Sequence, residues 1–153
     1  MSSIAKVEKS VVSDASQMYV TVRLAGQLFG VPVKNVRDVL RQQKITPIPL
    51  SSAEVAGSLN LRGRIVTVIN LRRRLGLPDH EENEKNMFVV VEHLGDLYSL
   101  MVDSVGEVMT VDDARLEKPP TNMGASWKEI TTGICKLSNE LLVVVDVNKV
   151  LSL

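Results

Sequence analysis

The sequence predicts a mainly β protein in which one small unit is used twice, and three observations predict it. Gly57 to Leu75, GSLNLRGRIVTVINLRRRL, and Gly133 to Leu151, GICKLSNELLVVVDVNKVL, share one plan without a gap: strand, tight turn, strongly apolar strand, short helix. Upstream, Tyr19 to Leu40 lies over Phe88 to Met109, setting Gly26 on Gly95, Leu28 on Leu97, Phe29 on Tyr98 and Val36 on Val105. A fixed internal period of this kind decides the fold before any single element does. Finally, short strands punctuated by Gly and Pro, with few long helices, favour small closed or nearly closed barrels.

Each element follows from its pattern. Met18 to Ala25 alternates Val20, Val22 and Leu24 with Tyr19, Thr21 and Arg23, the period of a half-buried strand. Gly26-Gln27 turns it back into Leu28 to Val31, Pro32 opens a single helical turn, and Val36 to Leu40 extends again. Lys44 to Ser52 is a connecting loop, because Pro47 and Pro49 each lack a ladder donor. Arg62-Gly63 closes a hairpin whose second strand is Ile65 to Ile69, and Gly63 supplies the positive φ of the turn, as Asn139 does in Ser138-Asn139. Helices begin at Asn70 and at Asp146, and the loop Asp112 to Met123 carries Pro119-Pro120.

The expected organisation is a disordered tail over residues 1–17, a first half over 18–77, an acidic linker over 78–86 and a second half over 87–153, with strand exchange between the halves left open. Ile65 to Ile69, Leu141 to Val145 and Val89 to Val91 are apolar on both faces, so something must cover their outer sides: the other half, a terminal helix or a partner.

Composition narrows the function. Lys plus Arg and Asp plus Glu are 18 each, so no overall field draws the chain to nucleic acid or to an anionic membrane. One cysteine excludes an internal disulfide, and Cys135 reads as a small core side chain in a reducing compartment. No apolar run approaches the roughly 18 residues of a membrane span, and the N-terminus lacks the apolar centre of a signal peptide, which points to the cytoplasm.

No catalytic constellation stands out. His80 and His93 have neither cysteine nor a second histidine at metal-ligand spacing, and there is no nucleophile elbow or phosphate-binding loop. Asp112-Asp113 and Glu81-Glu82 read as solvated loop charge. No catalytic residue, metal or cofactor is therefore expected. Arg62, Arg64 and Arg72 to Arg74 form the basic cluster, which raises a single-stranded nucleic-acid-binding barrel as a rival. Such barrels stack bases on aromatic platforms, and this chain has Trp 1, Tyr 2 and Phe 2 in all. Arg72 to Arg74 are expected on the exposed face of a helix whose Leu71 and Leu75 pack inward. Arg62 differs, because it stands at a turn position that Ser138 fills in the second copy.

At these residues the chain resembles the CheW-type coupling proteins of bacterial chemotaxis. The resemblance rests on GSLNLRGRIVTVINLRRRLGL, LFGVPVKNVRDVL, LYSLMVDSVGEVM and TGICKLSNELLVVVDVNKVL, in order and at family spacing, and spans about Met18 to Leu153. Thr67 stands where the family usually has proline, Asn70 where it has aspartate and Ser99 where glycine is common.

The resemblance implies two five-stranded SH3-like β-barrels with an apolar groove between them, and a non-catalytic adaptor recruited to membrane-associated receptor arrays. The groove would take the cytoplasmic hairpin tip of a chemoreceptor, with Val36, Val39, Met87, Val105 and Val108 lining or bordering it and Arg62 reaching toward Asp38. Another surface would pair with the regulatory domain of the histidine kinase CheA, and Gly57 and Gly63 are the candidates there, as small residues on an exposed edge. An adaptor of the same kind serving another receptor-kinase pathway, such as surface motility, is the alternative within the family.

Overall fold

A computed structural model describes residues 15–80 and 85–152. Chain order is β1 (Ser16–Leu24), β2 (Gln27–Pro32), a 3-10 turn (Val33–Asn35), β3 (Val36–Leu40), β4 (Val55–Leu61), β5 (Arg64–Asn70) and α1 (Leu71–Arg74). There follow β6 (Met87–His93), β7 (Asp96–Val102), β8 (Ser104–Asp112), a 3-10 turn (Asp113–Arg115), β9 (Leu116–Glu117), α2 (Ala125–Ile130), β10 (Thr131–Lys136), β11 (Leu141–Val145) and α3 (Val147–Val150). The fold is mainly β with a few short helices.

The strands form a 5-stranded sheet, β3-β6-β7-β5-β4, and a 6-stranded sheet, β8-β1-β2-β11-β10-β9. Each sheet takes strands from both sequence copies. The copies meet at the parallel pairs β5 with β7 and β11 with β2, and at the antiparallel pairs β3 with β6 and β1 with β8. The 5-stranded sheet is one continuous stretch, 36–102, inserted between the parts of the other, and the linker joins strands of the same sheet. The chain passes from sheet to sheet at two crossovers: the Val33–Asn35 turn, and Asp103 between β7 and β8. Neither ladder joins its first strand to its last among the described residues, so each barrel is open in its hydrogen bonding.

Three apolar clusters hold this arrangement. The largest, with Leu24, Phe29, Leu71, Val91, Leu100 and Val143, fills the seam between the sheets. Tyr19, Leu28, Cys135, Leu142 and Val144 pack within the 6-stranded unit, and Leu59, Val66, Val68 and Phe88 within the other. The strands apolar on both faces are therefore mostly covered by this chain: Ile65 and Leu141, next to the hairpin turns, stay 69% and 39% exposed, whereas Val66, Val68 and Val89 to Val91 are fully buried. Full burial of each such side chain stabilises by about 1.5–3 kcal/mol, which is why the seam closes on itself. Of the covers expected from the sequence, the other half and the terminal helix are both found, with Val147 and Val150 of α3 in the same cluster as Val89 and Val91.

Local chemistry sets the ends of the elements. Asn70 Oδ1 accepts from Arg73 N–H at 3.2 Å and Asp146 Oδ1 from Lys149 N–H at 3.3 Å, each capping its short helix. The Arg62-Gly63 turn has φ of 52° and 86°, the doubly positive geometry whose twist matches a hairpin. Arginine there works against the backbone preference, a demand the turn position did not reveal in the sequence. Asn139 departs from expectation in the other sense. The Leu137 N–H donates to Glu140 O at 2.8 Å, but neither Ser138 nor Asn139 takes a positive φ.

Other differences have plain causes. Ser16 and Gln17 belong to β1, paired with Asp112 and Val111, so the strand begins inside the expected tail; residues 1–14 and 81–84 lie outside the described residues. The helix α2 is too short for a periodicity to announce it. It docks through Trp127, whose Nε1–H donates to Leu75 O at 3.1 Å and whose ring lies 5.2 Å from that of Phe29.

Candidate functional site: the seam and its two crossovers

Val36 and Val105 follow the two crossovers at equivalent points of the repeat, opposite Val91 and Val22 respectively. Both are partly buried against the central cluster, and Met87 joins them there. Val39 and Val108 lie further along the same strands and are 39% and 52% exposed. They occupy equivalent positions on different sheets, opposite Val89 and Val20. Val36, Met87 and Val105 thus pack partly buried against the central cluster, while Val39 and Val108 remain exposed apolar side chains on the same strands as Val36 and Val105.

Arg62 meets Asp38: Nη2 lies 3.1 Å from Oδ2, and the other carboxylate oxygen accepts from Val39 N–H at 2.8 Å. The arginine side chain is 77% exposed, so this ion pair fixes geometry rather than supplying stability. Its position brings β3 and the β4–β5 turn together, the two margins of the 5-stranded sheet.

Gly57 and Gly63 part company. Gly63 is exposed, with open space where a Cβ would stand. Gly57 is buried, not on an exposed edge; its φ is 149° and a Cβ would fall 2.3 Å from Thr46 O. Thr46 pairs with Ser58 in a single bridge, and this close approach of backbone to backbone is what requires glycine. Gly133 repeats the arrangement more loosely, a Cβ there lying 3.0 Å from Glu117 O.

The arginines of α1 are not a solvated basic face. Arg72 holds Asp103 with both prongs, Nε to Oδ1 at 2.8 Å and Nη2 to Oδ2 at 2.6 Å. Arg73 grips Asp79, with both distances 2.9 Å. Arg74 pairs with Glu129 at 2.9 Å and donates to the last carbonyls of α3, Lys149 O and Val150 O. Each guanidinium is paired with a carboxylate, six residues on for Arg73 and 31 and 55 residues on for Arg72 and Arg74, which weakens the basic patch a nucleic-acid groove would need.

Asp103 is the most heavily engaged carboxylate of the region. Besides Arg72 it accepts from Ala25 N–H at 2.8 Å, and His80 Nε2 lies 2.6 Å from Oδ1. Burial opposes its ionisation, but the Arg72 fork, the Ala25 amide and His80 outweigh burial and hold the carboxyl below the usual range. Tyr19 moves the other way, its phenol raised by burial and by the nearby Asp113 charge. Among the described residues no group of three or more His, Cys, Asp or Glu is placed to hold a metal ion.

Sequence reasoning passed over Asp103. The copies do carry the signal: Lys34 and Asn148 occupy the places of Asp103 and Arg72, so one of the two equivalent cross-copy positions has an opposite-charge pair and the other has none.

The family model of the CheW-like domain matches residues 18–153. The chain belongs to the CheW-like family. The chemotaxis protein CheW of Treponema pallidum is 27% identical over 145 residues, covering 92% of this chain and 85% of that protein. The CheW of Thermotoga maritima is 30% identical over 126 residues, covering 82% and 81%. The crystal structure of scaffolding protein TtCheW from Thermoanaerobacter tengcongensis superposes with a TM-score of 0.80 at 28% identity, covering 90% of this chain and 93% of that one. Family, fold and relatives agree on a chemotaxis coupling adaptor of the CheW type.

Within that family frame, Thr67 joins the ladder opposite Ser58 and beside Tyr98, a position where proline would bring no donor. Asn70 keeps the capping role of aspartate without its charge.

Proposed function

We propose that the chain links the cytoplasmic hairpin tips of chemoreceptors to the regulatory domain of the histidine kinase CheA, without chemistry of its own. The observation that carries this reading is the exposure of Val39 and Val108 on the same strands as Val36 and Val105, which with Met87 pack partly buried against the central cluster. An amphipathic receptor helix laid against these strands buries the exposed valines and meets the Arg62–Asp38 pair at the rim. Few large side chains are exposed there, and association entropy offsets much of what their burial gains, so single contacts are modest. Arrays of many copies turn modest contacts into a stable assembly.

On the kinase side, the exposed Arg62-Gly63 turn lets another barrel approach closely, and Gly57 acts through the strand conformation it permits. No helix among the described residues is long and apolar enough to cross a membrane, and the proposed place of work is the cytoplasmic face of receptor arrays.

Co-sedimentation tests this reading. The chain should pellet with receptor fragments and kinase as a ternary assembly, and the double variant Val39→Asp with Val108→Asp should abolish the receptor contact while melting like wild type. Undiminished receptor binding by the doubly charged variant would overturn the groove assignment.

A further inference from the structure

The two crossovers are equivalent in the repeat and unequal in construction. At the second, Asp103 ties everything nearby together: its N–H donates to Arg23 O at 3.1 Å, and its carboxylate accepts from Ala25 N–H and from both prongs of Arg72. Arg23 and Ala25 belong to the 6-stranded unit and its β1–β2 turn, Arg72 to the helix that follows the 5-stranded unit's β5. One carboxylate therefore binds the two units to each other. Side-chain exposures of 15% for Arg72 and 18% for Asp103 mark a shielded pair with two-pronged geometry, the kind that fixes orientation.

At the first crossover the corresponding side chains are Lys34 and Asn148, and they do not meet. Both line a cavity of about 420 Å³, together with Tyr19, Asn35, Asp113 and Asp146. Asn148 turns instead to His93, whose Nδ1 lies 2.9 Å from Asn148 Oδ1. The exposed Lys34 ammonium has no ion-pair partner among the described residues. Val36 comes directly after this crossover and Val105 shortly after the clasped one, so one side of the seam is held by the shielded Arg72–Asp103 pair and the other by exposed contacts alone, His93 with Asn148 across the units and Arg37 Nη1–H donating to Lys34 O at 3.0 Å.

We infer that Asp103 is the positioning residue about which the two units are set, and that the Lys34 crossover is the side that adjusts when a partner occupies the seam. This rests on the adaptor reading for its purpose but not for its geometry. A cavity beside a chain crossing leaves room for the shift, whereas the shielded pair at Asp103 holds the opposite side in register. The adaptor thereby transmits occupancy of one face as a change in the relation of its two units.

The test copies the clasp onto the open side, using the full chain with Lys34→Asp and Asn148→Arg together. In the free protein, amide exchange over 33–35 should slow at least tenfold while exchange at Ala25 stays as in wild type. With receptor fragments and kinase, stimulation of autophosphorylation should fall at least fivefold although both partners still bind. Unchanged exchange over 33–35, or slowed exchange with wild-type stimulation, overturns the inference. Should that variant fail to fold, Asp103→Lys with Arg72→Asn copies the open side onto the clasped one. It should accelerate exchange at Ala25 and lower stimulation; unchanged exchange at Ala25, or wild-type stimulation, counts against the inference. The exchange measurements need neither partner, so they stand even if wild-type protein does not stimulate the kinase, a result that would sink the adaptor reading instead.

Discussion

Arg62 reaches from a turn in which its own backbone is left-handed, φ 52°, to place Nη2 3.1 Å from Asp38 Oδ2. A residue without glycine's freedom costs about 1–2 kcal/mol in that conformation, and an exposed ion pair returns at most about 1 kcal/mol. Folding alone therefore does not call for arginine at this place. Arg62→Gly should raise stability by up to about 1 kcal/mol in urea unfolding and weaken receptor coupling at the same time. Arg62→Ala should leave the melting temperature nearly unchanged with the same loss of coupling; a variant that couples normally removes Arg62 from the receptor contact.

Gly57 offers a prediction of the opposite kind. With Thr46 O only 2.3 Å from where a Cβ would stand and φ at 149°, Gly57→Ala should destabilise by about 2–4 kcal/mol, combining overpacking with backbone strain. Gly133→Ala, facing Glu117 O at 3.0 Å, should cost clearly less. Chemical denaturation of the two variants side by side checks the order, and equal costs would mean that β4 shifts to admit the methyl group.

Ser99 lies in the middle of β7 with its hydroxyl fully buried and without a hydrogen-bond partner among the described residues. An unsatisfied buried polar group costs about 1–3 kcal/mol, so Ser99→Ala should stabilise by about 1 kcal/mol or more. The urea midpoint should rise with an unchanged slope. A fall would show that the hydroxyl finds a partner in solution.

Asp103 makes stability depend on acid. Its folded pKa is depressed, so its contribution is fully present above the unfolded value of about 3.9 and is lost as pH falls through the lower folded value. Wild type should therefore exceed Asp103→Asn in stability at neutral pH, and the two should converge as the solution is acidified below about pH 4. Melting curves against pH read this directly; a constant gap down to pH 2 would deny the linkage.

Much of the architecture was legible because it is local. Proline 32, the caps Asn70 and Asp146, and alternation along β1 each act within a few residues, and the structure has the elements they announce. Which strand lies beside which is not local: nothing in Val143 names Phe29 as its neighbour, and the reciprocal exchange emerges only in three dimensions. The same limit hid the burial of Arg72 and Arg74, whose partners Asp103 and Glu129 stand far along the chain. Strands apolar on both faces announced a cover, and their composition could not say that the cover is the chain's own second sheet together with its short helices. Of the candidate residues, Val36, Met87 and Val105 are partly buried against the core, and Gly57, expected on an exposed edge, is buried for a packing reason that no local pattern announces.

Phosphate incorporation by the histidine kinase, measured with receptor fragments in the presence and absence of this chain, tests the central claim most directly. The account predicts that the kinase is stimulated only when all three proteins are present, and that Val39→Asp with Val108→Asp removes the stimulation. Stimulation of the kinase by receptor fragments to the same level without this chain, or none in its presence, would contradict it.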